Sequence, residues 1–189
     1  RIEFSANGAL INPHLVDNSG GVDSSDHEVN IKILLSDVMN KPSNKMDLKE
    51  RNKLLESMTE EVAEHVLRNN YQQAQAVSLA EMSAGEDLKM HEEFIQELER
   101  DHGLNREGEA LPDQEEIQRR LRVDKGLTRS ELCVLVSYAK IRFTQDLLAS
   151  DIPDRPAMQG WLSDYFPEAL QKTYSKDIRK HRLAREIIA

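Results

Sequence analysis

Thr128-Arg129-Ser130-Glu131-Leu132-Cys133-Val134-Leu135-Val136-Ser137-Tyr138-Ala139 is the stretch from which the fold class is read. Thr128 and Glu131 have the three-residue spacing of a reciprocal helix cap, in which a hydroxyl and a carboxylate each satisfy an orphan backbone amide. Leu132, Leu135, Val136, Ala139, Phe143 and Leu147 then repeat at three and four, widened by Val134, Ile141 and Leu148. That spacing predicts a core-facing helix, and the width of its apolar stripe predicts the most buried one in the chain.

Working outward, the same pattern fills most of the 189 residues. Towards the N-terminus, Asp113 to Leu121 reads as a short helix opened by Pro112, a residue tolerated where a first-turn amide has no helical partner. Leu88, His91, Phe94, Ile95 and Leu98 make another stripe, bounded by Ser83-Ala84-Gly85 and by Gly103. Asp47 can cap a long helix, or two with a bend, in which Leu54, Leu55, Met58, Val62, Val66 and Leu67 face a core and which runs to about Met82. Further on, Asp151 to Pro156 is a turn-rich break, Trp161, Leu162, Tyr165 and Phe166 read as a small packing cluster, and Pro167 starts the last helix.

Only the beginning reads differently. Arg1 to Ser5 alternates polar and apolar around Ile2 and Phe4 like a half-buried strand, and Asn7-Gly8 is a turn signal that allows a return through Leu10-Ile11. Asp17-Asn18-Ser19-Gly20-Gly21 is a second turn-rich stretch, after which Ser25 and Glu28 have capping-box spacing. A helix is predicted to start there, with Val29, Ile33 and either Leu34 or Val38 on one face and a stop at Asn40 and Pro42. Asn40 to Asp47 is the best candidate boundary, dividing residues 1–40 from an all-helical region, 47–189. The chain begins at Arg1 within the strand pattern and finishes within a helical one, so both ends read as cut.

Composition narrows the function classes. A formal charge of −9 disfavours nucleic acid and anionic membrane as main partners, since both need clustered cations. The longest nearly apolar run, Leu132 to Ala139, is far short of the roughly 20 residues that cross a bilayer. The single cysteine, Cys133, lies in that run, so it reads as core packing in a reduced, cytoplasmic setting with no cysteine-rich metal cage. His27, His65, His91, His102 and His181 are scattered among carboxylates without metal-ligand spacing, His14 stands alone, and no metal site is expected. Glu81 to Glu116 holds thirteen acids against three bases, while Ile117 to Ala189 holds fourteen bases against nine acids. Lys172, Lys176, Arg179, Lys180, Arg182 and Arg185 form a basic patch explained in large part by cations favouring late helical turns.

The chemically informative stretch is Asn18-Ser19-Gly20-Gly21-Val22-Asp23-Ser24-Ser25-Asp26-His27-Glu28. Adjacent glycines allow close backbone approach to a ligand, and a helix N-terminus favours an anion, although a tight turn feeding a capped helix explains the spacing by itself. NSGGVDSSDHEVNIKILL resembles the Asn-x-Gly-Gly-Val-x-x-Ser segment of glutamate dehydrogenases. With RIEFSANGALIN before it and LPDQEEIQRR, GLTRSELCVLVSYAKI and HRLAREIIA after it, the whole chain is similar to the large bacterial NAD-specific type.

The resemblance implies a mainly α piece: a bundle-like helical region following a short strand-containing N-terminal remnant of a doubly wound α/β dehydrogenase domain. It implies that Asn18, Gly20 and Gly21 bind the NAD cofactor and that Val22 and Ser25 bind the L-glutamate substrate, Ser25 sharing its hydroxyl between cap and carboxylate. The parent would oxidise glutamate to 2-oxoglutarate and ammonia and would form a homo-oligomer. No Gly-x-Gly-x-x-Gly turn and no matching catalytic lysine or aspartate is present, so the piece alone is expected to be inactive. The rival reading is a stand-alone helical interaction module in which Gly20-Gly21 is only a turn.

Overall fold

The computed structural model describes residues 2–43 and 46–189, and among them there is no strand. The helices are α1 (Ile2–Ala6), α2 (His14–Asp17), α3 (Ser19–Met39), α4 (Leu48–Ser57), α5 (Thr59–Met82), α6 (Leu88–His102), α7 (Gln114–Arg122), α8 (Arg129–Ala149), α9 (Gln159–Tyr165), α10 (Glu168–Ile178) and α11 (Ala184–Ile188). The mainly α reading therefore holds. None of these helices is long and apolar enough to cross a membrane.

The N-terminal strand is not there. A strand needs a neighbour to take up its backbone groups, whereas a helix satisfies them locally. Residues 2–6 take the helical solution, and Arg1 lies outside the described residues. The Asn7-Gly8 signal marks a helix stop instead of a strand return. Gly8 adopts φ 86, its amide donates to Ser5 O at 2.9 Å, and the Ala9 amide donates to Phe4 O at 3.2 Å. That pair of bonds is a Schellman ending, which needs a left-handed residue as much as a hairpin turn does.

Other boundaries fall where local chemistry puts them. Asp47 caps α4 in a full reciprocal box with Glu50. Glu131 accepts from the Thr128 amide at 2.6 Å at the start of α8, and Gly103, at φ 67, ends α6. Asp113 caps α7 by accepting from the Glu116 amide at 2.7 Å, so Pro112 lies just outside that helix. The candidate boundary at Asn40 to Asp47 includes residues 44 and 45, which lie outside the described residues.

The chain forms two compact units. The first comprises residues 1–19 and 70–141. Its core joins Val16 and Val77 to Leu88, Ile95 and Leu98 of α6, Ile117 of α7, and Leu132, Cys133 and Leu135 of α8. Arg106, 12% exposed, ties the loop after α6 down by bonding Glu92, Glu99 and the Pro112 carbonyl.

The second unit comprises residues 20–69 and 142–189. Its core is Ile31, Leu34 and Leu35 of α3, Met58, Leu162 of α9, Phe166, and Leu170 and Ile178 of α10. Half of the basic patch is paired inside this unit, where Lys172 pairs with Glu168, Arg182 with Asp37 and Arg185 with Asp154. Pro167 begins α10 as expected, but the helix kinks at Tyr174 and α11 follows separately.

Two burial expectations fail. In α8 the buried residues end at Leu135, and Ile141 and Phe143 are exposed, so the apolar stripe is only half used as core. Trp161 is 70% exposed, so the α9 cluster is built from Leu162, Tyr165 and Phe166 without it.

Candidate functional site

The predicted site residues lie at the start of α3, but not in the geometry the spacing implied. Ser25 does not cap a helix: α3 begins at Ser19, which puts Ser25 in its second turn, and Glu28 pairs with Lys32. Once a helix is under way, each amide already bonds the carbonyl four residues back, so a mid-helix Ser-x-x-Glu has no orphan amide to satisfy. Gly20 and Gly21 correspondingly lie within the first helical turn and not in a preceding loop. Neither has positive φ.

Asn18 belongs to the first unit, at the C-cap of α2, with its side-chain nitrogen 3.3 Å from His14 Nε2. The other four candidates belong to the second unit. Val22 is 72% exposed and Ser25 is exposed. Three residues apart on a helix, these two share a face, and Val29, four residues beyond Ser25, extends it. The buried face runs through His27, Asn30, Ile31, Leu34, Leu35 and Val38, so Val29 points outward and not into the core, as its spacing had suggested. Ser24 is occupied locally, its hydroxyl donating to Gly20 O at 2.7 Å.

Packing does not demand a glycine at position 20. A Cβ there would meet only Val66 Cγ1 at 3.5 Å, an ordinary contact. Glycine nevertheless weakens a helix by about 1 kcal/mol relative to alanine. The fold therefore supplies no packing reason for a glycine at position 20.

Behind the exposed face lies a polar cluster that the sequence did not reveal. The Tyr165 hydroxyl donates to Asp26 Oδ2 at 2.7 Å and accepts from Asn30 Nδ2 at 2.9 Å. Its ring stacks on His27 with centroids 4.4 Å apart, and the His65 ring lies 5.7 Å from His27. Burial raises the Tyr165 phenol well above its ordinary range, and the hydrogen bond to Asp26 adds to this, so it remains a neutral donor.

His27 is 1% exposed, and neither ring nitrogen has a hydrogen-bond partner. Asp23 Oδ1 is 3.8 Å from Nε2, too far for such a bond. Burial pushes the His27 pKa down, opposed by Asp23 and Asp26 and reinforced by His65, so the ring is held neutral. His181, also buried, is fully satisfied: Nδ1 accepts from the Leu183 amide at 3.1 Å, which leaves Nε2–H to donate to Asn30 O at 3.1 Å.

Two family models divide the chain. That of the bacterial NAD-glutamate dehydrogenase catalytic domain matches residues 1–80, and that of the glutamate dehydrogenase C-terminal region matches residues 124–189. The chain is 44% identical over 189 residues to the NAD-specific glutamate dehydrogenase of Halomonas elongata. The chain belongs to this glutamate dehydrogenase family. It is also 43% identical over 188 residues to the enzyme of that name from Mycobacterium tuberculosis, and 43% over 189 residues to that of Pseudomonas aeruginosa. In all three comparisons the whole of this chain aligns, yet it spans only 12% of the relative's length. In the second unit of this chain, α3 comes from the segment matched to the catalytic domain and Tyr165 from the segment matched to the C-terminal region.

Proposed function

We propose that this chain is part of a full-length enzyme that oxidatively deaminates L-glutamate to 2-oxoglutarate and ammonia, and that the first turns of α3 form one wall of its substrate and NAD pocket. The observation that carries this reading is the bare backbone at Gly20, which packing does not require. Gly20 and Gly21 open a 21-residue helix without positive φ, and the packing around Gly20 would admit a side chain. A bare backbone at a helix start, where first-turn amides lack helical partners, suits close approach by a polar ligand.

The NAD cofactor supplies the hydride acceptor. Gly20 and Gly21 let it approach, Asn18 offers an amide that both donates and accepts, and the chain contributes no proton-transferring lysine or aspartate in a family motif. Val22 meets the methylenes of glutamate, and the Ser25 hydroxyl, free of any capping duty, donates to its side-chain carboxylate. In the intact enzyme residues 1 to about 40 close the cleft over substrate and nicotinamide, and the helical region from 47 onward braces the catalytic domain or contacts another subunit. The 189-residue piece by itself is inactive, while the full-length protein is a cytoplasmic homo-oligomer.

The test is steady-state kinetics of Ser25→Ala in the full-length protein. Losing a hydrogen bond to a charged group weakens glutamate binding by about 1–3 kcal/mol, roughly a fivefold to 150-fold rise in KM. An unchanged KM and kcat removes Ser25 from the site.

A further inference from the structure

The N-terminal half of α3 has no apolar anchor. From Ser19 to Asp26 the helix contributes no buried side chain, and its first buried residues, His27 and Asn30, are both polar. Only from Ile31 onward does aliphatic burial fix it to the core of the second unit. The turns that carry Val22 and Ser25 are thus held by polar contacts. Asn69 of α5 donates to Asp23 Oδ2 at 2.9 Å on one side, and Tyr165 at the end of α9 holds Asp26 and Asn30 on the other.

Asp26 and Asn30 are four residues apart, one helical turn, so a single hydroxyl bonded to both resists rotation of that turn about its axis. Stacking of the same ring on His27 limits its sideways movement. Ser25 and Asp26 are consecutive, so a rotation that moves one carboxylate moves the neighbouring hydroxyl through the same angle.

We propose that Tyr165 is a positioning residue for the reaction: its hydroxyl sets the orientation of the α3 turn that presents Val22 and Ser25 to glutamate, although Tyr165 does not touch the substrate. This rests on the reading of α3 given above, and it makes the C-terminal segment a determinant of substrate affinity.

Tyr165→Phe removes the hydroxyl and keeps the stacked ring. In the full-length protein it is expected to raise the KM for glutamate about five- to tenfold through misorientation, with kcat and the KM for NAD within about twofold of the parent. Asp26→Ala, at an exposed position that tolerates truncation, is expected to reproduce that split. If Tyr165 acts mainly through Ser25, Tyr165→Phe raises the KM clearly less in a Ser25→Ala background, where only the Val22 contact remains to be misoriented. A KM unchanged by Tyr165→Phe, with Ser25→Ala still impaired, overturns the positioning role and leaves the α3 site standing. An equal rise in both backgrounds also overturns it, because Tyr165 would then act elsewhere. A silent Ser25→Ala removes the α3 reading itself and the inference with it.

Discussion

Arg120 grips Glu131 with both terminal nitrogens, Nη1 to Oε2 at 2.7 Å and Nη2 to Oε1 at 3.0 Å, with the two side chains 11% and 10% exposed. Arg120 also bonds Glu116 and the Gly126 carbonyl, and Glu131 takes the Thr128 amide, so the pair joins α7 to the cap of α8. Removing one member of such a pair strands the other charge out of water. Arg120→Ala should destabilise the protein by about 3–5 kcal/mol, and Arg120→Met with Glu131→Gln should cost less than Arg120→Ala alone. Urea unfolding of the three proteins gives the comparison, and equal losses would show that the charge on Glu131 is solvated.

Glycines 20 and 126 should respond oppositely to alanine. A Cβ on Gly126 would lie 2.3 Å from the Ala84 carbonyl carbon, so the backbone would have to move, whereas one on Gly20 meets only Val66 at 3.5 Å. Gly126→Ala is expected to lose about 1–3 kcal/mol by overpacking, and Gly20→Ala to gain up to about 1 kcal/mol in helix propensity. Thermal denaturation checks both. If Gly20 contacts NAD, its alanine variant in the full-length protein will combine higher stability with a raised KM for NAD.

Acid should destabilise the fold through its histidines. Burial is the first cause of a lowered pKa at His27, His91 and His181. The unfolded chain binds these protons near pH 6.5, while the folded chain takes them up only at lower pH. Protons bound in the unfolded state then exceed those bound in the native state, so the contribution is full above about pH 6.5 and is lost as the pH falls towards the folded values, by up to about 1.4 kcal/mol per pH unit for each group. Urea midpoints at about pH 7.5 and about pH 5.5 measure the loss. His27→Phe, which keeps a ring against Tyr165 and removes two unpartnered buried nitrogens, should be more stable than the parent and show a smaller loss.

Cys133 should be chemically silent in the folded protein. It is fully buried, and burial pushes its thiol up to about 11. An aromatic disulfide reagent at about pH 8 should label it slowly under native conditions and to completion in denaturant, since the thiolate is the reactive form. Rapid native labelling would place the thiol in a region that opens locally.

What could be read from the sequence was local. Asp47 before α4, Thr128 with Glu131 at α8 and Gly103 after α6 each act through groups three to six residues away, so spacing was sufficient to place them. The same local rules misread residues 2–5 and Ser25. A two-residue alternation cannot reveal whether a pairing strand exists, and a Ser-x-x-Glu spacing cannot reveal that a helix has already begun at Ser19.

The sequence alone determined the helical class and the family likeness, including the Asn18 to Ser25 motif, because helix periodicity, caps and motif order are all written along the chain. Only the tertiary structure decided which face of α3 looks outward, that His27 is buried without hydrogen bonds, and that Tyr165 reaches Asn30 across 135 residues of chain. Burial and long-range hydrogen bonding depend on which surfaces meet after folding, and no pattern within one helix encodes its partner in another.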